Sequence, residues 1–212
     1  MAHPSRLPDP PTPPMWAAPA EYGQPAATDA KNGVAAPLLA GFSIALLASV
    51  GQAPSSFRWP GAVILVLLLV VAAFVLSIQL GFRSRARLYS RADALAWGPV
   101  NDLPAEQDEE IRARIQRAHL ASWFRAQRWV QLAYNTAIGL LGLALTLVAA
   151  PPTSYGGGAA VAGSEAAWRW TAFGVGLLLT GLEVGWILRD EYRRLRARRT
   201  PTGASGGEGS AT

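Results

Sequence analysis

One carboxylate stands inside an otherwise apolar run of this 212-residue chain: Glu183, in Trp168 to Leu188, a run closed by Arg189, Asp190 and Glu191. A bare charge at the centre of a lipid bilayer costs about 2.5 to 3.5 kcal/mol on insertion scales, so such a group is protonated, hydrogen-bonded or bound to a cation. Two amides lie at comparable depth. At about 1.5 Å per residue, Glu183 is about 9 Å in from Arg189, Asn135 about 10 Å in from Arg128 and Gln79 about 6 Å in from Arg83. Glu183, Asn135 and Gln79 can therefore form one intramembrane polar cluster. In one reading, Asn135, Gln79, Tyr134 or Tyr192 satisfies the carboxylate, with each interhelical hydrogen bond contributing about 0.6 to 2 kcal/mol. In the other, Glu183 is the proton or cation site of a small transporter. Apart from Arg169 at the outer end of the last run, the apolar runs hold no second acid, histidine or basic partner and no pair of Gly/Pro-interrupted helices, which favours the first.

Other chemistry is sparsely represented. Without cysteine there is no disulfide, thiolate metal site or thiol nucleophile. His3 and His119 have no neighbour at ligand spacing, and HExxH, GxSxG and P-loop patterns are missing. Gly174 and Gly176 follow no strand, so they do not form a phosphate loop. The sequence thus points to a non-enzymatic protein with no catalytic residue, cofactor or metal. Arg193 to Arg199 (RRLRARR) would attract anionic lipid headgroups, although retention on the cytoplasmic face already explains the cluster. No aromatic residues alternate with these arginines, which argues against nucleic acid.

The segment from Arg83 to Arg128 carries its own helical signals. Ser90 and Asp93 are spaced for a capping box, Gly98 and Pro99 end the short helix, and Val100 to Leu103 make a turn. Pro104 suits a first helical position, and Glu106, Asp108, Glu109 and Glu110 place negative charge at a helix N-terminus. Asp108 with Arg112 and Glu110 with Arg114 are i, i+4 pairs. Ile111, Ile115, Ala118 and Ser122 trace a less polar stripe, and the helix meets no breaker before Trp129. The bland reading is a solvated helix at the membrane surface. The functional one is a docking face for a cytoplasmic protein partner, formed by Ile111, Arg112, Arg114, Ile115 and Arg117.

Four apolar blocks are long enough to position these groups across about 30 Å of hydrocarbon. They are Val34 to Val50, Trp59 to Phe82, Trp129 to Ala150 (stopped by Pro151 and Pro152) and Trp168 to Leu188. The first is the weakest, with Pro37 near its start and many small residues. A cleaved signal peptide is its competing reading, but the preceding residues are long and Pro-rich rather than compact and basic. Nine arginines lie in Arg83 to Arg128 and six from Arg189 onward, with Arg6 and Lys31 before the first block and only Arg58 and Arg169 in the two short loops. The positive-inside rule then puts both termini in the cytoplasm. Gly181 and Gly185 form a GxxxG, for which an internal helix contact is favoured over a dimer.

Residues 1 to 32, with eight prolines, read as a disordered Pro-rich cytoplasmic tail, and PPTPP at Pro10 to Pro14 as a spacer or a polyproline ligand. Gly156 to Gly158 mark a structureless external loop, and residues 200 to 212 a flexible end. A charged fraction of 16% is well below the usual 25% or so, while mean hydropathy is only +0.18 because the tails dilute the apolar blocks.

The stretches Leu80 to Pro99 (LGFRSRARLYSRADALAWGP) and Leu132 to Leu145 (LAYNTAIGLLGLAL) resemble the uncharacterised small four-span integral membrane proteins of high-GC actinobacteria. The resemblance covers the second to fourth spans and implies a plasma-membrane location, with no catalytic residue carried over. The expectation is an all-α membrane protein in five parts: the tail 1–32, a transmembrane pair in 33–82, a cytoplasmic helical segment 83–128, a second pair in 129–188, and a basic then flexible tail 189–212. Its role is that of an interaction or accessory subunit in the lipid bilayer, with the Glu183 transporter as the alternative.

Overall fold

Pro60, whose missing N–H costs nothing in a first helical turn, opens a helix that runs unbroken through the longest apolar block to Arg85. In the computed structural model, which describes residues 16–17, 23–98, 104–152 and 162–199, this is one of eight helical segments. They are α1 (Gln24–Ala30), a π turn (Lys31–Ala35), α2 (Ala36–Gln52), a 3-10 turn (Pro54–Ser56), α3 (Pro60–Arg85), α4 (Arg91–Ala96), α5 (Ala105–Ala149) and α6 (Gly163–Arg199). No strand occurs among the described residues. Four helices are long and apolar enough to cross a membrane: Gln24–Gln52, Pro60–Arg85, α5, and α6 over Gly163–Asp190. The expected turn at Pro99 to Leu103, the Pro10 to Pro14 stretch, the loop glycines 156–158 and the end 200–212 lie outside the described residues.

The first span corrects the sequence reading. Its helix begins at Gln24, so the last residues of the expected disordered tail, 24–32, are helical, with Pro25 tolerated in the opening turn. The helix continues through Pro37 by widening just before it. The Ala36 N–H reaches back five residues to the Lys31 carbonyl, the π register. In a regular α turn the Pro37 ring would press on the Gly33 carbonyl, and the wider turn relieves that contact.

The described chain divides into two compact units, one from Met1–Pro37 and Val75–Leu132, the other from Leu38–Phe74 and Ala133–Thr212. The second unit is centred on Val50, Val63, Leu67 and Ala144, all fully buried, with Leu46, Leu47, Ile64 and Leu147 packed around them. In the same unit α5 and α6 meet along a seam of small residues. A Cβ added to Gly142 would stand 2.7 Å from Thr180 Oγ1, and one added to Gly176 would stand 2.7 Å from Thr146 Oγ1. Each threonine occupies the space that the facing glycine leaves. Gly139, Gly142 and Thr146 follow one another at i, i+3 and i+7 on α5, and Gly176 and Thr180 at i and i+4 on α6, so each set shares one helical face. Gly181 and Gly185 are not part of this seam: a Cβ at either meets nothing within 4 Å, which corrects the expectation of an internal contact there.

In the first unit the buried side chains are mixed in character. Trp123, Val130 and Leu120 supply apolar volume beside buried Ser77, Ser84 and Gln116. Each polar group has a partner: the Ser77 hydroxyl lies 3.3 Å from the Val130 carbonyl and 3.4 Å from Asn32 Oδ1, and Ser84 donates to the Gly81 carbonyl at 2.8 Å.

Candidate functional site

Six residues are far too few for a helix to be stable alone, so α4 needs both a cap and a clasp. The cap is the expected box: the Ser90 hydroxyl accepts from the Asp93 N–H at 3.2 Å, and Asp93 accepts from the Ser90 N–H at 2.8 Å. The Ser90 N–H, and then the Ser90 hydroxyl, donate to Asp93 Oδ2 and hold its carboxyl below the usual carboxylate range. Gly98, at φ 71°, then turns the chain in the left-handed region that suits glycine.

The clasp is Arg112. Its guanidinium donates to Asp108 Oδ2 at 2.7 Å from Nε and, through its two terminal nitrogens, to the Ala94 and Gly98 carbonyls at the end of α4. Arg112 is only 7% exposed. It is therefore withdrawn from the expected partner face, and the sequence reading of this residue is corrected: the carbonyls of α4 compete for it and win. Arg114 remains exposed on its i, i+4 partner Glu110, and Arg117 is exposed beside the Ala113 carbonyl. Ile111 and Ile115 are exposed, at 40% and 46%.

Two more contacts position the segment. Arg91 of α4 pairs with Glu109 of α5 at 2.7 Å, and the Trp16 indole donates to the same carboxylate at 3.1 Å. The Trp16 and Arg91 hydrogen bonds hold Glu109 below the usual carboxylate range. The Tyr89 hydroxyl lies 3.0 Å from His119 Nδ1, with the rings edge to face, and burial pushes this phenol up. Between α4 and α5 these contacts leave a cavity of about 400 Å³, lined by Ala86, Tyr89, Asp93, Trp97, Arg112 and Ile115. Trp97, 88% exposed, stands at its edge. Tyr89 and Trp97 were not singled out from the sequence as site residues. The available signal was a pair of large aromatics in an arginine-rich segment, away from the ends of the apolar blocks.

The chain matches no protein-family model, and no curated protein or solved structure is significantly similar to it.

Of the expected polar cluster, Gln79 belongs to the first unit, where it is exposed on α3. Asn135 and Glu183 belong to the second, Asn135 half-buried on α5 and Glu183 exposed on α6. What packs between α5 and α6 one turn away is Val184 against Gly139, followed by Thr180 against Gly142. No three acidic or histidine residues are grouped to hold a metal among the described residues. The α6 helix extends to Arg199, so the basic run after Arg189 is a helical continuation of the fourth span.

In the second unit, the Arg58 guanidinium carbon lies 5.2 Å from the Trp59 ring and 5.4 Å from the Trp170 ring. Phe173 packs against both indoles at 6.3 and 5.4 Å. An arginine this close over two indole rings is a cation–π arrangement.

Proposed function

We propose that this is a multi-pass membrane protein that works as a non-enzymatic interaction or accessory subunit, presenting the α4–α5 segment to a protein partner in the cytoplasm. The observation that carries this reading is the open apolar cavity between α4 and α5, where Tyr89, Trp97 and Ile115 stay accessible in a segment otherwise covered with arginine. An accessible apolar centre with aromatic side chains and a polar edge is the usual chemistry of an interface core and its rim. Four membrane-capable helices supply the anchor, and the excess of arginine between the second and third supports a cytoplasmic side for this segment, in what we take to be the plasma membrane. Anionic headgroups near Arg193 to Arg199 would hold the end of α6 at the same surface.

The test is capture from native membranes in mild detergent, with the intact particle weighed, for the parent protein and for Ile115→Glu and Trp97→Ser. A partner in fixed ratio that both variants release supports the reading. A bare particle, or a complex indifferent to both changes, overturns it.

A second reading is a small proton- or cation-coupled transporter using Glu183. It is favoured by one observation: this carboxylate makes no hydrogen bond or ion pair with another described residue and so remains available to a proton or cation. Its test is ion flux in liposomes. Flux in the parent that Glu183→Gln abolishes, with folding intact, supports it, and absence of flux in the parent ends it.

A further inference from the structure

Asp29 of α1 and Arg85 of α3 meet at 3.2 Å beside a cavity of about 200 Å³ in the first unit, and both line it. Their side chains stay open to solvent, 42% and 68% exposed, so neither charge is consumed by burial. Asn32, Ser84 and Gln127 give the same cavity hydrogen-bonding groups, while Phe82, Leu88 and Trp123 give it apolar surface. Asn32 fits there only because position 81 is glycine: a Cβ on Gly81 would stand 2.7 Å from its Nδ2. The wall carrying Asn32 and Gly33 is the π turn, an irregularity that recurs at functional sites in helices.

Level and size narrow the ligand. On α3 the apolar surface ends at Phe82, 65% exposed, and gives way to Arg83 and Arg85, the position on a span where lipid headgroups lie. The volume is below the 300 to 1,000 Å³ or so of a site that encloses a whole small molecule, so it admits a polar head whose remainder stays outside. One carboxylate and one guanidinium side by side complement a group that carries both a cation and an anion. A phosphate accepts hydrogen bonds from Arg85, and a primary ammonium donates to Asp29. A purely anionic head meets repulsion from Asp29, and a quaternary ammonium has no N–H to donate.

We propose that this cavity binds the zwitterionic headgroup of an amine-bearing phospholipid, phosphoethanolamine in its chemistry. The site is separate from the α4–α5 cavity and does not depend on the partner reading.

The experiment uses the full-length protein, stripped of lipid in mild detergent and weighed intact by native mass spectrometry. Phosphatidylethanolamine, phosphatidylcholine or phosphatidylglycerol is added separately, and free phosphoethanolamine in a further sample. The expected result is one retained phosphatidylethanolamine per chain, with the other two lipids held about tenfold less. Gly33 lines the cavity and a Cβ there meets nothing within 4 Å, so the backbone tolerates a side chain at this position, and Gly33→Leu is expected to take up the space and remove the adduct. Asp29→Asn, which leaves the backbone alone, shifts the preference toward phosphatidylglycerol. Equal retention of the three lipids, or an adduct that survives both substitutions, overturns the proposal. Binding of free phosphoethanolamine without any lipid adduct overturns the lipid source and leaves a soluble ligand of the same chemistry.

Discussion

Thr180 fills the space that Gly142 vacates on α5, and Thr146 does the same for Gly176 on α6, so the contact between these helices is reciprocal. The Thr146 hydroxyl also donates to the Gly142 carbonyl of its own helix at 2.8 Å, which keeps it satisfied inside the seam. The register is therefore set by two pairs of small residues, with dispersion as its main energy, as expected where lipid removes the hydrophobic drive between helices.

Gly142→Leu should lower the melting temperature in detergent by an amount equivalent to about 1 to 3 kcal/mol, the usual cost of overpacking. Gly181→Leu, on the open side of α6, should leave it unchanged. Equal losses at both positions would show that the seam is not where α6 is held.

Arg112→Met breaks a nearly buried ion pair and strands the α4 carbonyls, an effect of about 3 to 5 kcal/mol by the behaviour of such pairs elsewhere. Arg114→Gln removes a solvent-exposed pair and should cost at most about 1 kcal/mol. Protease accessibility of residues 91–98 separates the two: it should rise sharply in the first variant only.

Asp93 and Glu109 are both held below the ordinary carboxylate range, so the folded state favours their charged forms. Their contribution is complete above the ordinary carboxylate pKa and is lost as pH falls through the lowered folded values. The melting temperature of the full-length protein should thus fall as pH drops through and below the ordinary carboxylate range. Asp93→Asn with Glu109→Gln should flatten that dependence. An unchanged slope in the double variant would assign the acid sensitivity to other groups.

Arg58→Leu removes the cation from between Trp59 and Trp170 and should destabilise the second unit by about 0.5 to 2 kcal/mol. Arg58→Lys should recover only part of this, because an ammonium cannot stack flat on two rings. Thermal melts followed by indole emission would read the difference directly.

The four apolar helices were legible because hydrocarbon thickness imposes a length that few other constraints imitate. The capping box at Ser90 and the unbroken passage of α5 into its apolar half were legible for local reasons, one a fixed spacing and the other the absence of Gly or Pro between Ala105 and Trp129. The start of the first helix was not. Gln24 to Gly33 (QPAATDAKNG) has no large apolar side chain and no helical stripe to read, and what orders it comes from distant residues: Gln127 donating to Thr28 at 3.0 Å, Arg85 on Asp29, and Ser77 beside Asn32. Asp108 with Arg112 and Glu110 with Arg114 have identical spacing, so no local rule could tell the buried clasp from the exposed pair. The difference is made by the carbonyls of Ala94 and Gly98, supplied from a separate part of the chain. In the same way GxxxG marks where a helix can be approached closely without saying which face has a neighbour.

The clasp at Arg112 also decides with which part of the chain α4 opens and closes. A six-residue helix has no stability of its own to lose, so its amides are protected from solvent deuterium only while the guanidinium is seated. Its exchange rates therefore follow the Glu109–Arg112 turn of α5, to which it is tied by the Arg112 clasp and the Arg91–Glu109 pair, rather than α3, to which it is tied by the backbone. In exchange terms, residues far apart along the chain form a single cooperative unit.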